Sequence, residues 1–435
     1  MKFKDLLSRG VFAALVGLMV IAAIPYGTVE AWWKAAFVCA VFAICIVAII
    51  EMLVAGARRV EGGPVLLPML ALSALAFVQT LSIGAGDVWS AISADPFQSR
   101  FFALQMLALT VFLALLYGYA NTERRVRVVV YTILGVAMVS AVFGLLRHTT
   151  QHETGFVLPL LRQNQGYAQF VNKNHFAYLM EMAFGLGLGI LIAGGIKRDH
   201  VMIYLALLLP IWTGLVLANS RGGILAMLAQ VLVAALMLLS VQTSGIARSS
   251  VVKVVLIVVL GAGVLFGTFL VGGDRLATNF EAATSEFNTE TSTDGASRNE
   301  IWRASLKMFA AHPILGVGLG GYWTGITAYH DASGRMTPQE AHNDYLELLS
   351  SGGLIGFAIG VWFVVVMVRM IRKNLSVDNG FKRAVRFGAV LGLAGVAAHS
   401  LVDFGLHIIV NAVVFMTLIM LGTAELRTQI DADQN

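Results

Sequence analysis

The chain has 435 residues, of which 58% are hydrophobic and only 13% are charged, and its mean hydropathy is +0.79. Soluble globular proteins average roughly 45–50% apolar and about 25% charged residues. The composition therefore excludes an ordinary soluble enzyme and indicates a polytopic protein embedded in a lipid bilayer. With a net charge of +5 and little solvated basic surface, we expect no nucleic-acid partner.

Apolar stretches close to the roughly 20 residues that cross a bilayer recur twelve times in the sequence. They predict an all-α integral membrane protein with about twelve transmembrane helices and one large extramembrane loop. The predicted spans are 10–28, 31–54, 64–83, 101–119, 126–146, 175–196, 200–218, 222–241, 251–271, 347–368, 384–403 and 407–423.

Lysine and arginine are distributed unevenly between the loops that connect these spans. If the N-terminus is cytoplasmic, 19 of the 30 basic residues fall on the cytoplasmic side. This bias is what the positive-inside rule expects. We therefore predict that both termini are cytoplasmic.

Two non-cytoplasmic segments of this topology are long. Segment 147–174 precedes the sixth helix, and segment 272–346 lies between the ninth and tenth helices. The longer one is large enough to form a small periplasmic subdomain. The predicted organisation is then helices one to nine over 1–271, this loop subdomain over 272–346, and helices ten to twelve with a cytoplasmic tail over 347–435.

The long loop contains one well-marked amphipathic helix. Ser297 and Glu300 have the spacing of a capping box, in which Ser297 is the N-cap. Apolar residues then recur with helical period until Pro313 ends the helix. Arg298 therefore lies in the first turn of a helix that we expect on the outer membrane surface.

Arg221 and Arg298 both lie at predicted helix starts on the non-cytoplasmic side. Helix N-termini offer free N–H groups and a partial positive charge, which favour phosphate groups. An arginine adds a bidentate cation, so the pair predicts a diphosphate clamp. The alternatives are that Arg221 extends its side chain to the membrane interface and that Arg298 is a solvated first-turn residue.

His342 stands where a polar segment meets the tenth predicted helix. A histidine there is placed for proton chemistry at a water–lipid boundary, and the alternative is that it only caps or solvates the helix start. Because Asp344 and Glu347 can supply the cap, His342 is the candidate general base, with Asn343 beside it.

Four more polar residues are candidate supporting groups. His399 and Asp403 lie four residues apart on one face of the eleventh predicted helix, and ionisable residues inside membranes are functional candidates that are often paired. The alternative for these two is a structural hydrogen-bonded pair. Asn172 and His175, at the start of the sixth helix, are candidates to line the same outer cavity.

A metal site was considered for His330, Asp331, His342 and Asp344. Their spacing matches no known ligand pattern. We therefore expect no metal and no other cofactor.

The residues resemble a known family in several places. The sequence is similar to the bacterial O-antigen ligases and to the wider superfamily that includes the O-antigen and exopolysaccharide polymerases. The resemblance covers most of the chain and rests on His342-Asn343 followed after nine residues by Gly353-Leu354-Ile355-Gly356, on Arg221-Gly222-Gly223, on Arg298 with Trp302 and the glycine run 316–320, and on residues 171–177.

The resemblance implies transfer of a glycan from an undecaprenyl-pyrophosphate carrier to an acceptor hydroxyl, on the periplasmic side of the bacterial inner membrane, without metal. It implies that Arg221 and Arg298 bind the donor pyrophosphate and that His342 deprotonates the acceptor, which is lipid A–core or another glycan. Trp302 departs from the leucine that the ligases often have four residues after the arginine. The alternative function is a transporter or flippase of lipid-linked saccharides, because twelve spans also suit carriers.

Overall fold

The computed structural model describes residues 3–24, 29–56, 63–85, 88–150, 166–240, 261–263, 298–330, 338–377 and 380–425. These residues are almost entirely helical. The helices are α1 (Phe3–Ala22), α2 (Ala31–Ala55), α3 (Gly63–Val78), α4 (Pro96–Tyr119), α5 (Glu123–Thr150), α6 (Lys173–Ile192), α7 (Val201–Leu217), α8 (Arg221–Ser240), α9 (Arg298–Ala311), α10 (Tyr322–Ile326), α11 (Asp344–Val377), α12 (Gly380–His399) and α13 (Ile409–Thr423), with short 3₁₀ turns at Arg198–His200 and Gly405–His407.

The prediction of a multi-pass membrane protein is confirmed. Within the described ranges, eight helices are long and apolar enough to cross a membrane, and α3 and α13 are shorter apolar helices. Eleven of the twelve predicted spans coincide with a described helix. The ninth, 251–271, lies outside the described residues except for 261–263, so the count of twelve, the domain division and the placement of the large loop stay predictions.

Several predicted spans were too long, and one structural element was missed. The third span was expected to continue to residue 83, but α3 ends at Val78 and is followed by a two-stranded antiparallel hairpin, β1 (Ser82–Ala85) with β2 (Val88–Ala91). The eleventh span, predicted to reach 403, ends with α12 at His399. Both helices end in turns, in which Gln79 N–H still donates to the Leu75 carbonyl (2.9 Å) and Asp403 N–H to the His399 carbonyl (3.1 Å).

The centre of the bundle is the pair α6 and α12, which make the most extensive helix–helix contact in the described structure. Gly185 and Gly189 on α6 lie directly against Gly392 and Gly388 on α12, with no room for a Cβ atom at this crossing. Small residues allow such close backbone approach, and van der Waals packing is the main attraction between helices in lipid. This contact fixes the start of α6 beside the end of α12.

Helix α11 is broken at Gly353, whose φ of 63° and ψ of −165° suit only glycine. The break frees backbone groups, and the loop after α9 satisfies them. Leu354 N–H donates to the Pro313 carbonyl (2.8 Å), and Val317 N–H donates to the Ser350 carbonyl (3.1 Å). The loop therefore runs alongside the break like a short strand, as backbone groups in lipid must be paired within the protein.

Buried Gln79 joins the same two segments. Its Nε2 donates to the carbonyls of Leu315 (2.5 Å) and Ser351 (3.0 Å), and its Oε1 accepts from Leu319 N–H (2.9 Å). Gln79, just after α3, thus connects the loop after α9 to α11 by hydrogen bonds.

Candidate active site

The backbone of His342 is unusual for a residue other than glycine. Its φ is +50°, in the left-handed region, which L-residues adopt at an energetic cost. The preceding residue is held on both sides: Ala341 N–H donates to Glu347 Oε2 (2.9 Å), and the Ala341 carbonyl accepts from Trp302 Nε1 (3.0 Å). Two hydrogen bonds from different helices therefore fix the peptide that carries His342.

Asn343 provides the cap of α11. Its Oδ1 accepts from Leu346 N–H (3.0 Å), the bond that an N-cap side chain makes. Asp344 and Glu347 were predicted only as residues that can supply this cap. In the structure their carboxylates accept from Ser400 Oγ (2.6 Å) and from Ala341 N–H instead. Either way His342 is free of the capping role.

His342 and Asp403 face each other across the start of α11 and the end of α12. His342 Nδ1 lies 3.6 Å from Asp403 Oδ1, and the side chains are 33% and 1% exposed respectively. Asp403 also accepts hydrogen bonds from Asn174 Nδ2 and from Phe404 N–H (2.9 Å). Burial raises the pKa of this carboxyl, but His342 and the nearby His399 and His175 lower it more, so the pKa lies below its ordinary value.

Phe404 lies among three histidines. Its ring is edge-on to His342 (4.8 Å between centroids), to His175 (5.0 Å) and to His407 (5.9 Å). Edge-to-face packing of this kind is a favoured geometry for aromatic rings. Phe404 therefore sets the positions of side chains that come from α6, from the start of α11 and from the connection before α13.

His175 and Asn172 lie at the same end of the bundle with different roles. His175 is 5% exposed, and its carbonyl accepts from Asn411 Nδ2 (3.0 Å). Asn172 is the N-cap of α6, where its Oδ1 accepts from Asn174 N–H (2.8 Å). The amide that contacts Asp403 is therefore Asn174, not Asn172.

His399 forms a deeper layer with Glu181 rather than a pair with Asp403. Its Nδ1 lies 2.8 Å from Glu181 Oε2, both side chains are fully buried, and Tyr178 stacks on the imidazole at 3.9 Å. The His399 ring also lies so close to Gly222 that a Cβ there would clash with it. The i, i+4 pairing of His399 with Asp403 predicted from sequence is replaced by this contact with α6.

The two arginines approach this end of the bundle from two helix starts. Arg221 is the first residue of α8, whose cap is Ser220, with Oγ accepting from Gly223 N–H (3.2 Å). Its neighbour Gly222 contacts His399. Arg298 begins α9, one helical turn before Trp302, which bonds the Ala341 carbonyl; its predicted N-cap, Ser297, lies outside the described residues.

A second cluster lies beside His342. His407 faces Glu340, Asp344 and Glu347, at distances from 3.3 to 3.7 Å. Single ligand atoms of Glu340, Glu347 and His407 lie within 4.8 Å of one another, a spacing that could hold a metal ion. This set differs from the four residues considered from sequence, of which Asp331 lies outside the described residues.

The structure therefore brings His342, Asp403 and His175 together around Phe404. Arg221 precedes Gly222, which contacts His399, and Arg298 lies one helical turn before Trp302, which bonds the Ala341 carbonyl. Sequence analysis missed the contact of Asn174 with Asp403, and it gave Asp344 and Glu347 other roles without a contact to His407. A sequence signal for these contacts was the density of polar residues near 172–175 and 340–347 in an apolar chain.

Fold and site together define a multi-pass membrane protein with a histidine–carboxylate pair at one end of its helix bundle. Residues 205–361 match the family model described as O-antigen ligase. The match spans Arg221, Arg298 and His342, and it confirms the resemblance to the O-antigen ligase and polymerase superfamily. No curated protein matches the sequence.

Proposed function

We propose that the protein transfers a glycan from an undecaprenyl-pyrophosphate-linked donor to an acceptor hydroxyl, as an O-antigen ligase or a polysaccharide polymerase, without a metal. The active site then faces the periplasm, the protein lies in the bacterial inner membrane, and both termini are cytoplasmic. The acceptor is lipid A–core or another glycan.

The observation that carries the proposal is the orientation of the His342 imidazole. Its Nδ1 is buried and lies 3.6 Å from Asp403 Oδ1, just beyond hydrogen-bond distance, and the charge of the nearby carboxylate favours the tautomer that carries a proton on Nδ1. Nε2 is then the nitrogen that can accept a proton, which is the arrangement of a histidine general base oriented by a carboxylate.

The proposed reaction is a single displacement. The acceptor oxygen attacks the anomeric carbon while His342 Nε2 takes its proton. The bond between that carbon and the pyrophosphate oxygen breaks, and undecaprenyl pyrophosphate leaves with the electron pair. Arg221 and Arg298 stabilise the charge on the departing pyrophosphate electrostatically. Attack from the opposite face inverts the anomeric configuration, and no covalent enzyme intermediate forms.

The base is tested by glycan transfer with purified protein, undecaprenyl-pyrophosphate-linked glycan and candidate acceptors. His342→Gln should lower kcat by roughly 100-fold or more, since general base catalysis contributes about 10²–10⁴-fold. His200→Gln, an exposed histidine at the start of α7, is the control and should keep full activity. Full activity of His342→Gln, or loss of wild-type activity with a chelator, would refute the mechanism.

The arginines are tested by conservative substitution. Arg221→Lys and Arg298→Lys should each lose substantial activity, because a point charge cannot reproduce bidentate contacts with a pyrophosphate. Arg303→Lys, an exposed arginine on the same helix as Arg298, should be neutral. Near-normal turnover of both Arg221→Lys and Arg298→Lys would remove the pyrophosphate role.

Surface glycans of a deletion strain separate the two members of the proposed class. Unattached full-length chains indicate a ligase, and single repeat units indicate a polymerase. A block in movement of lipid-linked saccharide across the membrane would instead indicate a transporter or flippase.

A further inference from the structure

His407 has a carboxylate on both sides of its ring. Nδ1 lies 3.3 Å from Glu340 Oε2, whereas Nε2 lies 3.5 Å from Glu347 Oε1 and 3.7 Å from Asp344 Oδ1. A neutral imidazole has one N–H and one lone pair, so it cannot donate to carboxylates at both nitrogens. The doubly protonated imidazolium can donate at both, and it places a positive charge among the three carboxyl groups.

A bound metal is the alternative cation for this cluster. It would take one ring nitrogen while the other N–H donates to a carboxylate, and single ligand atoms of Glu340, Glu347 and His407 lie within 4.8 Å of one another. The imidazolium accounts for carboxylates at both nitrogens by itself, and a chelator separates the two cations.

The three carboxylates belong to the segment that carries His342. Glu340 and Asp344 flank it two residues away, and Glu347 also holds the Ala341 N–H (2.9 Å). His407, in contrast, lies on the 400–408 connection, which also carries Asp403 and Phe404. An ion-pair cluster at His407 thus joins the segment with the candidate base to the connection with its carboxylate partner.

We propose that protonated His407 is a positioning residue that holds residues 340–347 against the 400–408 connection and so keeps His342 within reach of Asp403. The structural part of this proposal stands alone, and its effect on turnover rests on the proposed glycan transfer. His407 acts through the backbone and the carboxylates, without contact to the reacting atoms.

The charged groups around the cluster support a cationic His407. Burial lowers the pKa of His407, but Glu340, Glu347 and Asp344 raise it more, to about 10. Burial raises the pKa of Glu340, but His407 and the more distant Lys34 on α2 lower it by more, so the pKa lies below its ordinary value. His175 and His342 lie on the other edges of Phe404, and Asp403 lies beside His342.

The pH dependence has a definite sign. Because the folded pKa of His407 is above the ordinary histidine value of about 6.5, its stabilisation is complete below that value and is lost as pH rises through about 10. Wild-type protein should therefore keep the cluster throughout the neutral range and loosen under alkaline conditions.

The test is a double-mutant cycle on His407 and Glu340 in the full-length protein in detergent, measured by thermal melting. His407→Gln removes the cation and should lower Tm at pH 7 by at least about 3 °C. Glu340→Gln combined with His407→Gln removes one repelling carboxylate, so the double variant should melt above His407→Gln alone. His407→Lys should restore part of the loss, and His200→Gln should melt like the wild type.

The cycle has clear opposing outcomes. An unchanged Tm of His407→Gln, or a double variant that loses the sum of the two single losses, would overturn the proposal. So would a wild-type Tm that falls with a chelator and recovers with Ca²⁺ or Zn²⁺, because the cluster would then hold a metal ion.

A kinetic measurement links the cluster to turnover. His407→Gln should lower kcat by roughly 10- to 100-fold, the effect of a small misplacement of a catalytic group, with little change in donor KM. A wild-type protein that transfers no glycan would refute the proposed function, while the Tm cycle would still decide the role of His407. An unchanged kcat with a lowered Tm would refute its positioning of the base.

Discussion

At the residue scale, His342 is held in a backbone conformation that an isolated histidine would rarely adopt. Its φ is +50°, and the hydrogen bonds that compensate are made by Ala341, with Trp302 on one side and Glu347 on the other. Strained residues persist only where their surroundings over-determine them. The position of the candidate base therefore depends on Trp302 and Glu347, which do not touch the reacting atoms.

Trp302→Phe tests this dependence. The change keeps an aromatic ring but removes the indole N–H, so the Ala341 carbonyl loses its donor (3.0 Å). We expect a loss of about 1–3 kcal/mol in stability and roughly 10-fold in kcat, measured by thermal melting and by the transfer assay. Trp323→Phe, an exposed tryptophan of α10, is the matched control, and equal behaviour of the two variants would contradict the role.

Asp403→Asn tests the carboxylate partner through its pH dependence. The pKa of Asp403 is lowered, so its stabilisation is present above the ordinary aspartate value of about 3.9 and fades as pH falls through the lower folded value. The free energy of unfolding of the wild type should exceed that of the variant by about 2 kcal/mol between pH 5 and 7. This difference in stability should shrink below roughly pH 4. A gap that grows on acidification would show that the carboxyl is not held ionised.

Sequence could find single residues of the site but not their partners. His342 was predicted from its place at a helix start and Asp403 as an ionisable residue within the eleventh span, and the two side chains face each other. Asn174 reaches Asp403 across 229 positions of sequence, and Glu181 reaches His399 across 218. Hydropathy locates helix ends but does not say which ends meet, because that is decided by packing such as the glycine contact between α6 and α12.

At the element scale, α11 shows what hydropathy predicts about a helix and what it misses. Hydropathy predicted a helix over 347–368, and the structure has one from Asp344 to Val377. The break at Gly353 has no signal in hydropathy, since it is made by hydrogen bonds from residues 313–318. The hairpin after α3 likewise has no signal in hydropathy. It follows Gln79, whose side chain makes hydrogen bonds with the loop after α9.

Gly353→Ala tests the break. An alanine there would adopt a backbone region that only glycine populates, and its Cβ would clash with the Ile314 carbonyl. We expect at least about 1–3 kcal/mol of destabilisation, seen as a lower Tm and as loss of transfer. The adjacent Gly352→Ala is a close control, because its Cβ would lie 3.4 Å from the nearest atom, Leu319 Cδ2. Equal tolerance of both changes would argue against the break.

At the scale of the whole molecule, the two ends of the bundle have different characters. One end gathers the starts of α6, α8, α11 and α13 with the end of α12, and it carries the histidines and carboxylates described above. At the other end, buried Arg386 donates to the last carbonyls of α13, at Gly422 (2.8 Å) and Ala424 (2.6 Å). A cation at a helix C-terminus is favourable, so Arg386 stabilises the end of α13.

The positive-inside rule predicts how these two ends are oriented in the membrane. Lys373, exposed near the end of α11, is expected in the cytoplasm, and Thr327, exposed after α10 on the side of His342, is expected in the periplasm. In a background with Cys39 and Cys45 replaced by serine, a membrane-impermeant thiol reagent applied to intact spheroplasts should label Thr327→Cys and spare Lys373→Cys. Inside-out vesicles should give the opposite pattern. Labelling of Lys373→Cys alone in spheroplasts would place the histidine–carboxylate site in the cytoplasm, where transfer from a periplasm-facing lipid carrier could not occur.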